Sequence, residues 1–231
     1  MKIGVIVAME KEFVQLRQLL ESTSQVEIHG LQLVEGRMGN HEIVLMRCGI
    51  GKVNSAIGAV ELIRHCHPDL VVSTGVAGGA DVALRVMDVV VSTECVYHDV
   101  YCGSECAMGQ VAGLPATYKS PSELIAKALR LNEELGGEPT VRAGQIVTGD
   151  WFVDSREKMS AILAQFPQAM AVDMESCSIA QACHLRGVPF VSFRIISDIP
   201  LQDHKAAQYF DFWERVVRDS FAVTRSFLRA I

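Results

Sequence analysis

No run of basic residues occurs anywhere in the chain, and 21 Lys+Arg stand against 27 Asp+Glu for a formal charge of −6. A nucleic-acid surface needs clustered cations, so that class of partner is disfavoured. Also missing is any stretch of the roughly 20 apolar residues that a membrane-spanning helix requires. The N-terminal apolar run Ile3 to Met9 is followed at once by Glu10 and Glu12, without the length or cleavage pattern of a signal peptide. A cytoplasmic location, away from membranes, is expected. The chain has no CxxC or HExxH spacing, and its tightest clusters, His65-Cys66-His67 and Cys102 to Cys106, match no metal frame. Its 7 cysteines are an odd number lying mostly inside apolar runs, which favours reduced core thiols over a disulfide framework. Repeats, low-complexity tracts and linkers are absent as well. With 231 residues, 49% of them hydrophobic, the chain can fill one large core, and a single domain over 1–231 is expected.

What is present reads as an α/β alternation. Lys2 to Ala8 is an apolar strand running into a helix with Phe13, Leu16 and Leu19-Leu20 on one face. Glu10 and Glu12 suit the first turn of that helix through the macrodipole, and Glu12 is equally placed to face a crevice beyond the strand end. Glycines at 30, 36 and 39 separate short strands Val26–His29, Gln32–Glu35 and Glu42–Met46, a meander. Gly49-Ile50-Gly51 is a tight turn into a helix ending near His65, and its backbone N–H groups are expected near a ligand. It lacks the third glycine of a dinucleotide fingerprint.

Leu70 to Thr74 reads as a buried strand, and Gly75 to Gly79 lets the backbone turn with no side chain in the way, which means either a sharp bend or a close approach to a ligand. Asp88 to Ser92 is another strand, 100–119 an excursion, and Ser120-Pro121 the start of a helix capped by Ser120 and ending at Gly136-Gly137. Val141 to Thr148 is a strand leading into Trp151-Phe152-Val153, apolar residues that need a flat ligand or another chain to cover them. Tyr209 to Ile231 reads as a closing helix with Phe212, Val216, Phe221 and Leu228 on its apolar side.

The stretch Ala169 to Pro200 organises the rest. It reads as strand, helix, strand, with Glu175 opening the helix, Gly187 stopping it, and the run Phe190 to Ile196 ending in Ser197-Asp198. Two carboxylates thus finish what are expected to be neighbouring strands, in the crevice where open α/β sheets collect ligands. A carboxylate ending an otherwise apolar strand is costly unless paired, which points to Asp198 as more than a structural cap.

Five segments then carry a family resemblance: Gly4 to Glu12, Gly49 to Ala56, Thr74 to Gly79, Val172 to Glu175 and Arg194 to Asp198. Together, in order and at compatible spacing, they resemble the 5′-methylthioadenosine/S-adenosylhomocysteine nucleosidases of the nucleoside phosphorylase/hydrolase superfamily. The resemblance implies a three-layer αβα sandwich around a mixed, partly barrel-like sheet, a homodimer, a nucleoside substrate with water, and no cofactor. N-glycosidic cleavage gives the ribose oxocarbenium character, so it needs an acid at the leaving base, a base for water and anchors on the sugar.

By resemblance Asp198 protonates adenine N7 with Ser197 steadying it. Glu12 activates water with Arg194 helping to hold it, and Glu175 binds the ribose hydroxyls. Phe152 would stack on adenine while the Val153 backbone reads its edge, with Ala77, Gly78 and Asp173 also at the substrate. Met9, Ile50, Met174 and Phe210 would form the 5′-alkylthio slot, with Pro115 supplied by the partner subunit.

The chain departs from the family pattern at Val76, commonly serine, at Met87, usually glycine, and over 201–208. Futalosine hydrolases share the same frame. A phosphorylase on this fold would need cations around phosphate, and Arg47 is the candidate that keeps that reading open. A nucleoside-binding protein without turnover is the non-enzymatic alternative, against which three retained carboxylates argue.

Overall fold

The computed structural model describes residues 1–137, 139–202, 212 and 221–231. A 10-stranded mixed sheet forms its middle layer. The strands are β1 (Lys2–Val7), β2 (Glu21–Ile28), β3 (Leu31–Met38), β4 (His41–Arg47), β5 (Leu70–Gly79), β6 (Val89–Tyr97), β7 (Tyr118–Lys119), β8 (Val141–Thr148), β9 (Ala169–Asp173) and β10 (Phe190–Asp198). The described helices are α1 (Glu10–Arg17), α2 (Lys52–Cys66), α3 (Ser122–Glu134), α4 (Arg156–Gln165), α5 (Ser176–Arg186) and α6 (Ala222–Ala230).

The alternation of β1 shows how the layers arise. Ile3, Val5 and Val7 turn into a core shared with Phe13 and Leu16 of α1, Leu124 and Leu131 of α3, and Phe227 of α6. Ile6 points the other way, into a core with Leu62 of α2 and Ile179 of α5. Successive side chains of a strand face opposite sides, so a strand apolar throughout must be covered on both. Gly4 permits the close approach of α2, since a Cβ there would lie 2.3 Å from a Leu62 methyl. Beyond β1, the strands β4, β3 and β2 form the expected meander, antiparallel through both hairpins, with β3 and β4 longer at each end than the glycine punctuation suggests and β2 starting five residues earlier and ending one residue earlier.

Five strands close on themselves. β5 pairs with β10, β10 with β6, β6 with β8, β8 with β9, and β9 returns to β5. The fold is therefore a three-layer αβα arrangement with a barrel inside its mixed sheet.

Closure corrects two sequence expectations. The glycines 75–79 do not turn the chain; they continue β5, because β10 pairs along one edge and β9 captures Gly78 and Gly79 on the other. The two carboxylate-bearing strands are not neighbours, because β5 runs between β9 and β10 and Gly78 faces both Val172 and Asp198.

Local signals account for other differences. β6 runs on past Ser92 to Tyr97 through a register shift between Ser92 and Glu94. Helix α3 starts one residue after Pro121, whose carbonyl accepts from Leu124 and Ile125. Ser120 does not cap it, because its hydroxyl is bonded to that of Ser92 at 2.7 Å. Helix α4 lies between two strands read from sequence without a helix between them. Its signals are Ser155, which caps it by accepting from the Lys158 amide at 3.1 Å, and buried Met159 and Ile162.

Met87 has φ +83, a conformation that favours glycine, so the departure from glycine at this position is held under backbone strain. The excursion at 100–119 has only the two-residue β7 as regular structure. Of the closing helix, Phe212 is buried and helical and α6 is formed, while 209–211 and 213–220, including Val216, lie outside the described residues. All 7 cysteines are free, and Cys48, Cys66, Cys95, Cys177 and Cys183 are buried.

Phe227 of α6 packs on Phe193 of β10 with ring centroids 4.4 Å apart, tying the outer helix to the barrel wall. Phe227→Ala is expected to cost about 3–5 kcal/mol. Denaturant unfolding should show this as a lower midpoint at unchanged slope.

Candidate active site

The cleft opens where the chain leaves the C-terminal ends of β1, β9 and β10. Glu12, Glu175, Ser197 and Asp198 line it together, so the three predicted carboxylates converge on one space. Met9, Ile50 and Met174, Ala77 and Gly78 of β5, and Phe152 and Val153 of the loop after β8 add to its lining. Phe152 is 59% exposed, a large ring presented to the opening. Asp173 also lines the cleft, whereas Phe210 lies outside the described residues. Pro115 sits in a separate groove with Tyr118, His184 and Val188.

Each carboxylate is fixed by the backbone that delivers it. Glu12 occupies the first turn of α1 and bends back, one oxygen accepting from the amides of Ala8 at 3.1 Å and Met9 at 2.9 Å. Its other oxygen accepts from the Val76 amide at 3.1 Å. Both readings of Glu12 offered by the sequence hold: its carboxylate caps the start of α1 through the Met9 amide and also lines the crevice. At position 76 the backbone N–H makes this contact, so valine in place of serine keeps it. Burial raises the Glu12 pKa, while the three amides and Arg194 pull it back.

Glu175 precedes α5 and accepts from the Gly51 amide at 3.0 Å. Burial raises its pKa to about 7; Arg194 opposes the shift and Asp173 adds to it. Asp198 accepts from the Ser197 hydroxyl at 2.7 Å.

Beneath the cleft lies Arg194, 1% exposed. Its Nε is 2.6 Å from Asp173 and 3.0 Å from the Ser176 hydroxyl, and Nη2 donates to Ser73 at 3.0 Å. Glu175 lies 3.8 Å from Nη2. At Gly75 a Cβ would stand 2.6 Å from Arg194 Nη1 and 2.7 Å from Glu12 Oε1. The glycine strand is thus the gap in which these charges meet.

Asp173 accepts from Thr148 at 2.6 Å as well as from Ser176, so its carboxylate is turned to the arginine and the α5 start. Asp173, expected at the substrate by resemblance, is thus engaged with Thr148 and Arg194 as well. Ser73, Thr148 and Ser176, as isolated hydroxyls inside strands and a helix start, carry no signal in the sequence.

The Gly49–Gly51 turn serves the protein's own carboxylates. Besides the Gly51 amide on Glu175, the Lys52 amide donates to Asp150 at 2.8 Å. Trp151, read from sequence only as an apolar residue needing cover, also lines the cleft and meets His98 edge-on with centroids 5.7 Å apart. Arg47 donates to Glu10 and, at 3.4 Å, to Gln32, and does not line the cleft. Among the described residues lining it there is no lysine or arginine, so the cation that kept a phosphate reading open is committed elsewhere. Also among the described residues, no group of three His, Cys, Asp or Glu side chains is placed to hold a metal ion, and no helix is long and apolar enough to cross a membrane.

A mixed sheet closing into a barrel, with carboxylates gathered at its strand ends, defines a class, and comparison identifies it. The chain belongs to the phosphorylase superfamily, whose sequence model matches residues 2–229. Within it, the chain is similar to solved nucleosidases. One is the S-adenosylhomocysteine nucleosidase of Streptococcus pyogenes in complex with 5-methylthiotubericidin, at 33% identity, covering 99% of this chain and 96% of that one, with TM-score 0.92. Another is the 5′-methylthioadenosine/S-adenosylhomocysteine nucleosidase of Neisseria meningitidis in complex with methylthio-immucillin-A, at 35% identity, 100% and 99% coverage and TM-score 0.92. A third, from Colwellia psychrerythraea in complex with adenine, has 35% identity, 99% and 94% coverage and TM-score 0.90.

The raised pKa of Glu175 sets the sign of a pH effect. The folded state holds this proton more tightly than the unfolded chain, so the contribution to stability is complete below about 4.5 and is lost as pH rises through about 7. Melting temperatures at pH 5.5 and 8.5 should therefore differ less in Glu175→Gln than in the unsubstituted protein. Equal differences would show that the carboxyl group titrates normally.

Proposed function

We propose that this chain is a hydrolase cleaving the N-glycosidic bond of 5′-methylthioadenosine and S-adenosylhomocysteine to release adenine and a 5-thioribose. The observation that carries the reading is the convergence of Glu12, Glu175 and Asp198 on one cleft with apolar walls.

In this reading Asp198, steadied by Ser197, gives a proton to adenine N7 as the bond from C1′ to N9 breaks and its electron pair passes to the base. Glu12 takes a proton from water as the water oxygen bonds to C1′. Its burial suits a general base working near neutral pH, since desolvation moves a glutamate toward that range. Glu175 binds the ribose hydroxyls, and its negative charge favours the cation developing on the sugar. Arg194 acts from below, balancing Glu12 and Glu175 while Asp173 holds it in place. Phe152 offers its ring to adenine and Val153 its backbone, and Met9, Ile50 and Met174 receive the alkylthio group. Ala77 and Gly78 of β5 lie close to the sugar. No cofactor enters the scheme.

The whole chain is read as one domain, working in the cytoplasm as a homodimer. Pro115, in a groove apart from its own chain's cleft, suits a wall supplied across an interface, and exposed Val53, Ile57 and Leu185 are apolar residues that a second copy would cover.

Adenine release from methylthioadenosine by the purified protein should proceed at the same rate with and without phosphate. A rate that depends on phosphate would make the chain a phosphorylase. Asp198→Asn should lower kcat by about 10²–10⁴-fold while adenine still binds. Full activity in that variant, read as free adenine over time, would remove Asp198 from the role of acid.

A further inference from the structure

Two segments that carry different parts of the cleft are joined outside it by one lysine. The first is the turn between β4 and α2, which brings Ile50 to the cleft and the Gly51 amide to Glu175. The second is the loop between β8 and α4, which carries Trp151, Phe152 and Val153. The Lys52 ammonium donates to both oxygens of Asp99 at 2.8 and 2.7 Å, and lies 3.9 Å from Asp150. Asp99, just past the end of β6, accepts the Asp150 amide at 2.9 Å, and Asp150 in turn accepts the Lys52 amide at 2.8 Å. The links form a closed ring of turn, loop and strand end.

The ring is tight as well as closed. Gly51 has φ +95, a conformation that L side chains rarely adopt, and a Cβ there would lie 3.0 Å from Asp150 Oδ1, so the turn sits close against the loop. An exposed ion pair of this kind would contribute about 0–1 kcal/mol. Here the side chains of Lys52 and Asp99 are only 24% and 11% exposed, and the Tyr97 ring lies under the ammonium, its centroid 5.5 Å away. Charge-assisted bonds sheltered in this way hold geometry more firmly than a solvated pair.

We propose that Lys52 is a positioning residue: through Asp99 and Asp150 it fixes the adenine-side loop against the turn that presents its amide to Glu175, and so sets substrate binding more than bond cleavage. The inference rests on the nucleosidase reading, which supplies the assignment of the loop to the base and of Glu175 to the ribose. Lys52 does not line the cleft. The groups assigned to proton transfer are held independently of it, Glu12 by the amides of residues 8, 9 and 76 and Asp198 by Ser197. Loosening the ring therefore weakens capture and leaves the chemistry largely in place.

The test is steady-state cleavage of methylthioadenosine together with calorimetric binding of adenine. Lys52→Met should raise KM and weaken adenine binding about tenfold, with kcat changed less than about threefold. Lys52→Arg, which keeps the charge, should recover most of the loss. Asp99→Asn should act in the same direction, and the Lys52→Met/Asp99→Asn double variant should be no worse than the poorer single one, because the residues act as a unit. Asp99→Asn provides the same readout should Lys52→Met not fold. KM and adenine affinity within twofold of the parent, alongside a lowered melting temperature, would make Lys52 a purely structural residue and overturn the proposal. A fall in kcat as large as the fall in kcat/KM would overturn it as well. If the parent cleaves methylthioadenosine and the variants match it, only this inference fails. If the parent neither cleaves nor binds adenine, the nucleosidase reading fails and takes the inference with it.

Discussion

The pairing of Arg194 with Asp173 is the constraint around which the rest is arranged. A guanidinium with 1% exposure is tolerable only if its charge and its donors are matched, and the barrel interior does both with one carboxylate and the hydroxyls of Ser73 and Ser176. Because Arg194 sits on β10, Asp173 on β9, Ser73 on β5 and Ser176 at the start of α5, satisfying it requires the barrel strands to be in register. The reward is local positive charge beneath two buried glutamates. Without it, Glu12 and Glu175 would be carboxylates in a desolvated pocket with only amides to hold them.

Glycine makes this possible at one strand. β5 is read from sequence as a strand that stops at Thr74, since five residues with three glycines look like a turn. Pairing on both edges overrides that local preference, and the missing Cβ at Gly75 leaves the space in which Arg194 and Glu12 approach. Gly75, which lowers strand propensity, is the residue the buried charges need, while Gly78 and Gly79 make room for Val172 and Ile196.

Much of the fold was legible. Apolar runs of β length, bounded by glycine and acidic residues, located β1, β8, β9 and β10 within a residue or two, and the start of α5 one residue after Glu175 followed from the break in pattern. The convergence of Glu12, Glu175 and Asp198 was legible as well, because each carboxylate ends an apolar strand or opens the helix that follows one. Barrel closure was not, since which strand lies between β9 and β10 is decided by pairing at long range. Helix α4 carries only local signals, the Ser155 cap and the spacing of Met159 and Ile162. The serine and threonine cradle under Arg194 could not be read, because a single hydroxyl has the same appearance in a strand whether it faces an ion or a neighbour.

Gly78, flanked on one side by Val172 and on the other by Asp198, stands at the point where the cylinder of strands is sealed. Placing Asp198 along that seam ties one part of the cleft to closure of the whole ring. Any opening of the barrel at Gly78 would shift Asp198 relative to Glu12 and Glu175, so the three carboxylates share one space only while the strands stay joined.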